Sequence, residues 1–177
     1  MGQVSIEKSL LAGIIGILCV CFFMIIYYRF PGVMAVISLA IYALLMLAIF
    51  KLFSVTLTLA GVAGFILSIG MAVDANVLIF ERIIDELRNG NSLSSAIDNG
   101  FGRAWLAIRD SNLTTLISAL ILAWLGASSI RGFGVTLAIG VVLSMFTAIS
   151  ITKTFLKLFK MKNTWFFGVK KIDNLNK

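Results

Sequence analysis

One carboxylate dominates the chemistry this sequence could do. Asp74 stands alone in an otherwise uncharged run over 52–80, seven residues before Glu81. On a helix, that separation sets it about 10 Å inside an apolar layer. Placing a charge at such a depth costs at least ~2–3 kcal/mol, which makes the residue a candidate functional site. Where water reaches it, a carboxyl group held this way can take up and release a proton. It could equally stay neutral and serve only as a hydrogen-bond partner for a neighbouring helix, and the residues alone leave both readings open. No lysine or arginine lies inside an apolar run to balance an ionised Asp74. A site that cycles charge would therefore take its cationic partner from another chain.

Other reactive groups are few. The chain has no histidine, which removes Ser-His hydrolysis and histidine-ligated metal sites. Cys19 and Cys21 share one apolar run with no second pair, so they read as small membrane-core residues rather than a metal site or disulfide. An intramembrane aspartyl protease needs two carboxylates facing one water, and only Asp74 is available. Asn112, Thr114 and Thr115 open a later apolar run at a depth comparable with that of Asp74, and Thr147 in the following run could reach the same level. They could bond to Asp74 or hold water beside it, although Ser and Thr in membrane helices commonly bond their own backbone. Asn76, two residues from Asp74, points elsewhere on a helix and suits a bond to a neighbouring helix.

These groups need apolar helices to hold them. Of 177 residues, 60% are apolar and 13% charged, against about half and about a quarter in soluble domains. Too little polar surface remains to cover a water-soluble globule, which excludes an ordinary soluble enzyme, a secreted disulfide scaffold and a disordered chain. The gaps between charged residues mark five candidate spans, roughly 9–28, 32–52, 57–80, 111–127 and 132–152, most near the ~20 residues a membrane helix needs. They are continuously apolar rather than alternating, unlike barrel strands. The expected fold is an all-α integral membrane bundle of five helices over 1–160, followed by a basic tail at 161–177.

Local signals refine that outline. Pro31 can open the second span, Asn89-Gly90 closes an extension of the third, and Ser92 looks like an N-cap. After it, Leu93, Ala96, Ile97, Phe101, Ala104, Trp105 and Ile108 recur at three- and four-residue steps. They predict an amphipathic helix over 92–108 lying at the membrane surface rather than crossing it, with the role of a connector packed under the bundle. Ala60, Gly64, Ser68 and Ala72 recur every fourth residue, a small-residue face for close helix packing.

Charge sets the expected orientation. The 29–32 turn, the 81–110 connector and the tail share one side and carry twelve of the 15 basic residues. Basic loops face the cytoplasm, so the C-terminus is expected inside and the N-terminus outside, with the net charge of +7 a topological signal rather than a nucleic-acid footprint. The start offers no signal peptide, since Glu7 and Lys8 nearly abut an apolar run too long for one. The expectation is a piece of a longer protein with at least one span upstream.

The stretch Gly70-Met71-Ala72-Val73-Asp74-Ala75-Asn76-Val77-Leu78-Ile79-Phe80-Glu81-Arg82-Ile83 resembles a signature of the SecD/SecF family of bacterial protein-export subunits, on its SecD side. Asp110-Ser111-Asn112-Leu113-Thr114-Thr115-Leu116-Ile117 and Gly132-Phe133-Gly134-Val135-Thr136-Leu137 are similar to its later signature in the same order, and the resemblance runs over about 5–159. It implies an RND-type membrane fold whose pseudo-symmetric other half is SecF. It also implies that Asp74 stands where the family's proton-relay aspartate stands. Protons would be the coupling ion, with no other cofactor, driving export through the SecYEG channel, with YajC as a further partner, in the bacterial cytoplasmic (inner) membrane. RND drug pumps carry adjacent paired aspartates at this place, whereas Ala75 follows Asp74 here. The family's first membrane helix and its large periplasmic portion, which contacts the exported polypeptide, lie outside the resemblance. The loop over 126–131 also lacks the family's usual Gly-Pro. The alternative is a membrane assembly scaffold or remnant fragment without proton transport.

Overall fold

A computed structural model of the chain describes residues 2–55 and 58–158. The basic segment 161–177 and the expected start of the third span at Leu57 lie outside the described residues. Helices form where the charge gaps run: α1 (Gly2–Tyr28), α2 (Phe30–Leu52), α3 (Leu59–Arg88), α4 (Leu93–Leu125) and α5 (Ser128–Phe146). The last passes through a π-helical turn, Thr147–Thr152, into a short α6 (Lys153–Leu158). No strand occurs among the described residues. Among the described residues, five helices are long and apolar enough to cross a membrane. In lipid every backbone polar group must be matched within the protein, which a helix does unaided.

The junctions follow from single residues. Arg29 alone separates α1 from α2, at the positive φ of 52°, and Pro31 sits in the first turn of α2, where a missing N–H removes no helical bond. The Thr58 hydroxyl caps α3 by accepting from the Gly61 N–H at 3.1 Å, and the Ser92 hydroxyl caps α4 from Ser95 at 3.4 Å. Beyond Arg88 the chain turns at Gly90, φ 86°, a conformation open to a residue without Cβ.

One expected element takes a different form. The amphipathic stretch over 92–108 is not a separate helix; it is the first half of α4, continuous with the fourth span in a rod of 33 residues. No glycine or proline interrupts 103–125, so nothing breaks the backbone ladder where the amphipathic pattern gives way to the apolar one. Ala96, Ile97, Phe101, Ala104 and Ile108 are buried with Ile79, Phe80, Ile83 and Leu87 of α3, Leu156 of α6 and Tyr28 of α1. The stretch is thus a connector packed under the bundle.

The centre of the bundle is α3, which touches each of the other four spans. Gly64, Ser68 and Ala72 are buried and Ala60 is half-buried. Against this small-residue face lies α5 at very short range: a Cβ at Gly64 would stand 2.9 Å from the Phe133 carbonyl oxygen, and one at Gly140 would collide with Ser68. Close approach lets polar groups bridge the helices. The Thr136 hydroxyl donates to the Gly61 carbonyl at 3.1 Å. Ser68 donates to the Phe65 carbonyl at 2.7 Å, which leaves the Tyr42 hydroxyl of α2 to donate to Ser68 at 2.6 Å. By contrast α1 turns Leu11, Ile14, Leu18, Phe22 and Ile26 outward, as a lipid-facing helix should.

Candidate functional site

Asp74 and Asn76, both in the middle of α3, point in nearly opposite directions. Two residues along an α-helix amount to about 200° of rotation. Asp74 therefore emerges on an exposed flank of the bundle while Asn76 is buried within it.

Asp74 borders a recess of about 180 Å3 between α3 and α4. Met71, Ala75 and Leu78 line it from α3, and Ile108, Ser111, Asn112 and Thr115 from α4. Three sequence-predicted residues, Asp74, Asn112 and Thr115, thus share one recess, and Ser111 joins them. Thr114 does not: it is exposed, and its hydroxyl donates to the Asp110 carbonyl at 3.1 Å. Nor does Thr147, which is buried in the π turn and donates to the Ser144 carbonyl at 3.2 Å. Thr115 likewise donates to its own helix, at Ser111, 3.2 Å away, so toward the recess its oxygen can only accept.

Among the described residues no side chain hydrogen-bonds or ion-pairs with Asp74. Charged groups come nearest toward the basic end of the same two helices, and most are engaged there. Glu81 accepts from the Tyr28 hydroxyl at 2.8 Å, and Arg109 pairs with Asp110 at 2.9 Å. On the face of α3 that carries Asp74 and Leu78, two turns or about 12 Å along, follows Arg82. Its Nε is buried without a hydrogen-bond partner. The recess has room for several waters at about 30 Å3 each, and offers them Asn112, Ser111 and Thr115 as partners.

The Asn76 side is different. Its Nδ2 donates to the Ala72 carbonyl at 3.1 Å, and its Oδ1 accepts from the Thr152 hydroxyl at 2.8 Å. Thr152 Oγ1 also lies 3.0 Å from Ser38 Oγ. Three side chains from α2, α3 and the π turn thus close a buried polar node. Asn76 was legible as interhelical glue; Ser38 and Thr152 were not, because a lone hydroxyl in an apolar run looks like any other.

At the basic end, ion pairs tie the elements together. The Glu86 carboxylate takes Arg103 at 2.7 Å and Asn91 at 2.6 Å. The Arg103 hydrogen bond, helped by Asn99, the Arg103 charge and Asn91, holds that carboxyl below its usual range. Asp98 on α4 receives Lys157 at 2.6 Å and Lys153 at 3.5 Å. The Lys157 hydrogen bond and the two ammonium charges lower it likewise.

Residues 1–162 match the family described as protein export membrane protein SecD/SecF, C-terminal. The chain belongs to the SecD/SecF family. It is 56% identical to the protein translocase subunit SecD of Thermobaculum terrenum over 97% of this chain and 35% of that protein. It is 58% identical to the SecD subunit of Synechocystis over 88% of this chain and 33% of that one. Its fold matches the crystal structure of SecDF, a translocon-associated membrane protein from Thermus thermophilus, with a TM-score of 0.83 at 37% identity, over 89% of this chain and 22% of the solved one. The chain spans about a third of the length of the curated relatives it matches. Membership of the SecD/SecF family together with five apolar helices makes it a multi-pass membrane protein with the SecDF membrane fold.

Proposed function

We propose that this chain is the membrane-embedded part of a SecD-type export subunit, and that Asp74 takes up and releases the proton that drives it. The observation that carries this reading is an exposed carboxyl group in the middle of an apolar helix, bonded to nothing among the described residues and opening on a recess lined by Asn112, Ser111 and Thr115. Evolution toward stability alone would remove such a group, because a carboxylate within the bilayer is expensive and here no bond repays it. Protons are then the coupling ion. A cation for the ionised state comes from the SecF half, which covers the Asp74 flank of α3. The assembled machine promotes protein export through SecYEG, with YajC as an accessory, in the bacterial cytoplasmic membrane. The N-terminus of this chain lies outside and its basic end inside, as the distribution of lysine and arginine supports.

Export of a secreted reporter under a proton gradient tests the reading, with Asp74→Asn compared with wild type in the assembled complex and recovery of SecF measured alongside. Asparagine keeps the size and hydrogen-bonding capacity of the side chain and loses only the titration. The expected result is loss of gradient-dependent stimulation with assembly intact. Undiminished export would leave an assembly scaffold.

A further inference from the structure

The π turn and the polar node occur together, and the helix geometry explains why. A π-helical turn closes i→i+5 bonds and holds one residue more than an α turn. Were 147–152 α-helical, everything after it would rotate by about 100° and shift by about 1.5 Å. Thr152 would then turn away from Ser38 and Asn76. As it stands, Thr152 is fully buried, Ser38 is 1% exposed and Asn76 4% exposed. Each contact in the node is within hydrogen-bond range. A hydroxyl holds a single proton. Thr152 gives its own to Asn76 Oδ1, whose amide nitrogen is already committed to the Ala72 carbonyl, and Ser38 supplies the proton for the second contact. In this register the Thr152 hydroxyl and the Asn76 carbonyl oxygen both find partners.

Its position is what ties it to the recess. Asn76 and Asp74 sit on opposite sides of one helix turn, so α3 cannot rotate Asp74 toward or away from α4 without pulling Asn76 off Thr152. Among the described residues nothing bonds Asp74 itself. The direction of its carboxyl is set from behind. We propose that Ser38, Asn76 and Thr152 are positioning residues for Asp74, and that the π turn exists to bring Thr152 into that role. The inference rests on the proton-carrying reading of Asp74. Beside the node the Cys21 thiol of α1 lines a small cavity with Asn76, and toward the basic end of the helices that form the recess stand Glu81 and Arg82 on α3 and Arg109 and Asp110 on α4.

The test measures gradient-driven export against pH in the assembled complex. Thr152→Val keeps the β-branched shape and removes the hydroxyl; Thr152→Ser restores it. The expected result is a pH midpoint moved by about half a unit or more for Thr152→Val, equivalent to a threefold change in proton affinity, with Thr152→Ser returning to wild type. Ser38→Ala removes one outer contact without altering packing volume, and should move the midpoint in the same direction by less. An unchanged profile in correctly assembled Thr152→Val overturns the inference. Should that variant fail to assemble, an unchanged profile in Ser38→Ala overturns it instead. Asp74→Asn runs in parallel: if it exports normally, the proton reading itself fails, whereas a dead Asp74→Asn beside an unmoved Thr152→Val sinks only the positioning role.

Discussion

The two faces of α3 solve opposite problems with neighbouring residues. On the inward face Gly64, Ser68, Ala72 and Asn76 are buried, and the polar side chains among them are all bonded: Ser68 to Tyr42 and Phe65, Asn76 to Ala72 and Thr152. On the outward flank Asp74 is exposed and bonded to nothing among the described residues. The inward face is what a stable helix bundle requires, since an unmatched polar group out of water is heavily penalised. The outward one is what a stable bundle avoids. Bonded and unbonded polar groups are thus separated by about half a turn of one helix, and substitutions on the two faces should fail in different ways.

The largest effect is expected where backbones touch. Gly140→Val puts a branched side chain into Ser68 at the α3–α5 contact, and overpacking of this kind costs about 3 kcal/mol. Thermal unfolding in detergent should show a clearly lowered midpoint and poor recovery of folded protein. A midpoint like that of wild type would mean that α5 can move away and that the inward face is looser than its distances suggest.

Next comes a direct exchange between the faces. Asn76→Leu strips the node of its central acceptor and should destabilise the bundle by about 1–2 kcal/mol, the upper range for polar contacts between membrane helices. Asp74→Leu should leave stability unchanged or raise it, while abolishing gradient-driven export. Equal stability losses in the two variants would erase the distinction between the faces.

Single bridging hydroxyls should matter less. Thr136→Val removes the contact to the Gly61 carbonyl at a cost of about 0.6 kcal/mol, the average for such pairs. Thr114→Val, outside the recess and bonded only within α4, should be smaller again in both unfolding and export. A marked export defect in Thr114→Val would place that residue in the site after all.

The smallest effect concerns acid. Glu86 and Asp98 are both held below their usual range, by Arg103 and by Lys157 with Lys153 respectively. A carboxyl with a lowered folded-state pKa lends stability above its unfolded value and gives it up as pH falls through the folded one. The melting midpoint should therefore drop as pH falls below about 4, and Glu86→Gln and Asp98→Asn should flatten that dependence while leaving the α3–α5 contact intact. A steep acid transition surviving in the double variant would assign it to other carboxylates.

Much of this is legible in the sequence. The count of spans, the caps at Ser92 and Gly90, the small-residue face and the isolation of Asp74 all depend on local composition and spacing. Which of Asn112, Thr114, Thr115 and Thr147 would face Asp74 was not legible. A helix displays its residues all round, and the rotational setting of α4 and α5 against α3 decides which of them reach the recess. The amphipathic pattern over 92–108 marks a connector under the bundle but not its continuity with the fourth span: nothing in 103–125 interrupts the ladder, and α4 continues.

By itself the sequence determined the solvent of this protein and the one residue that solvent penalises, because partition into lipid is summed over a window of some 20 residues and needs no partner. It also carried the motifs that mark the family. Only the tertiary structure decided that Asp74 faces outward while Asn76 faces inward, and that Thr152 meets Ser38 across 114 positions of chain. The same holds for the π turn, since Thr147-Ala148-Ile149-Ser150-Ile151-Thr152 suits an α-helix equally well. The extra residue in that turn is retained where it lets a buried hydroxyl find its two partners, and partners so distant in sequence exist only once the helices have packed.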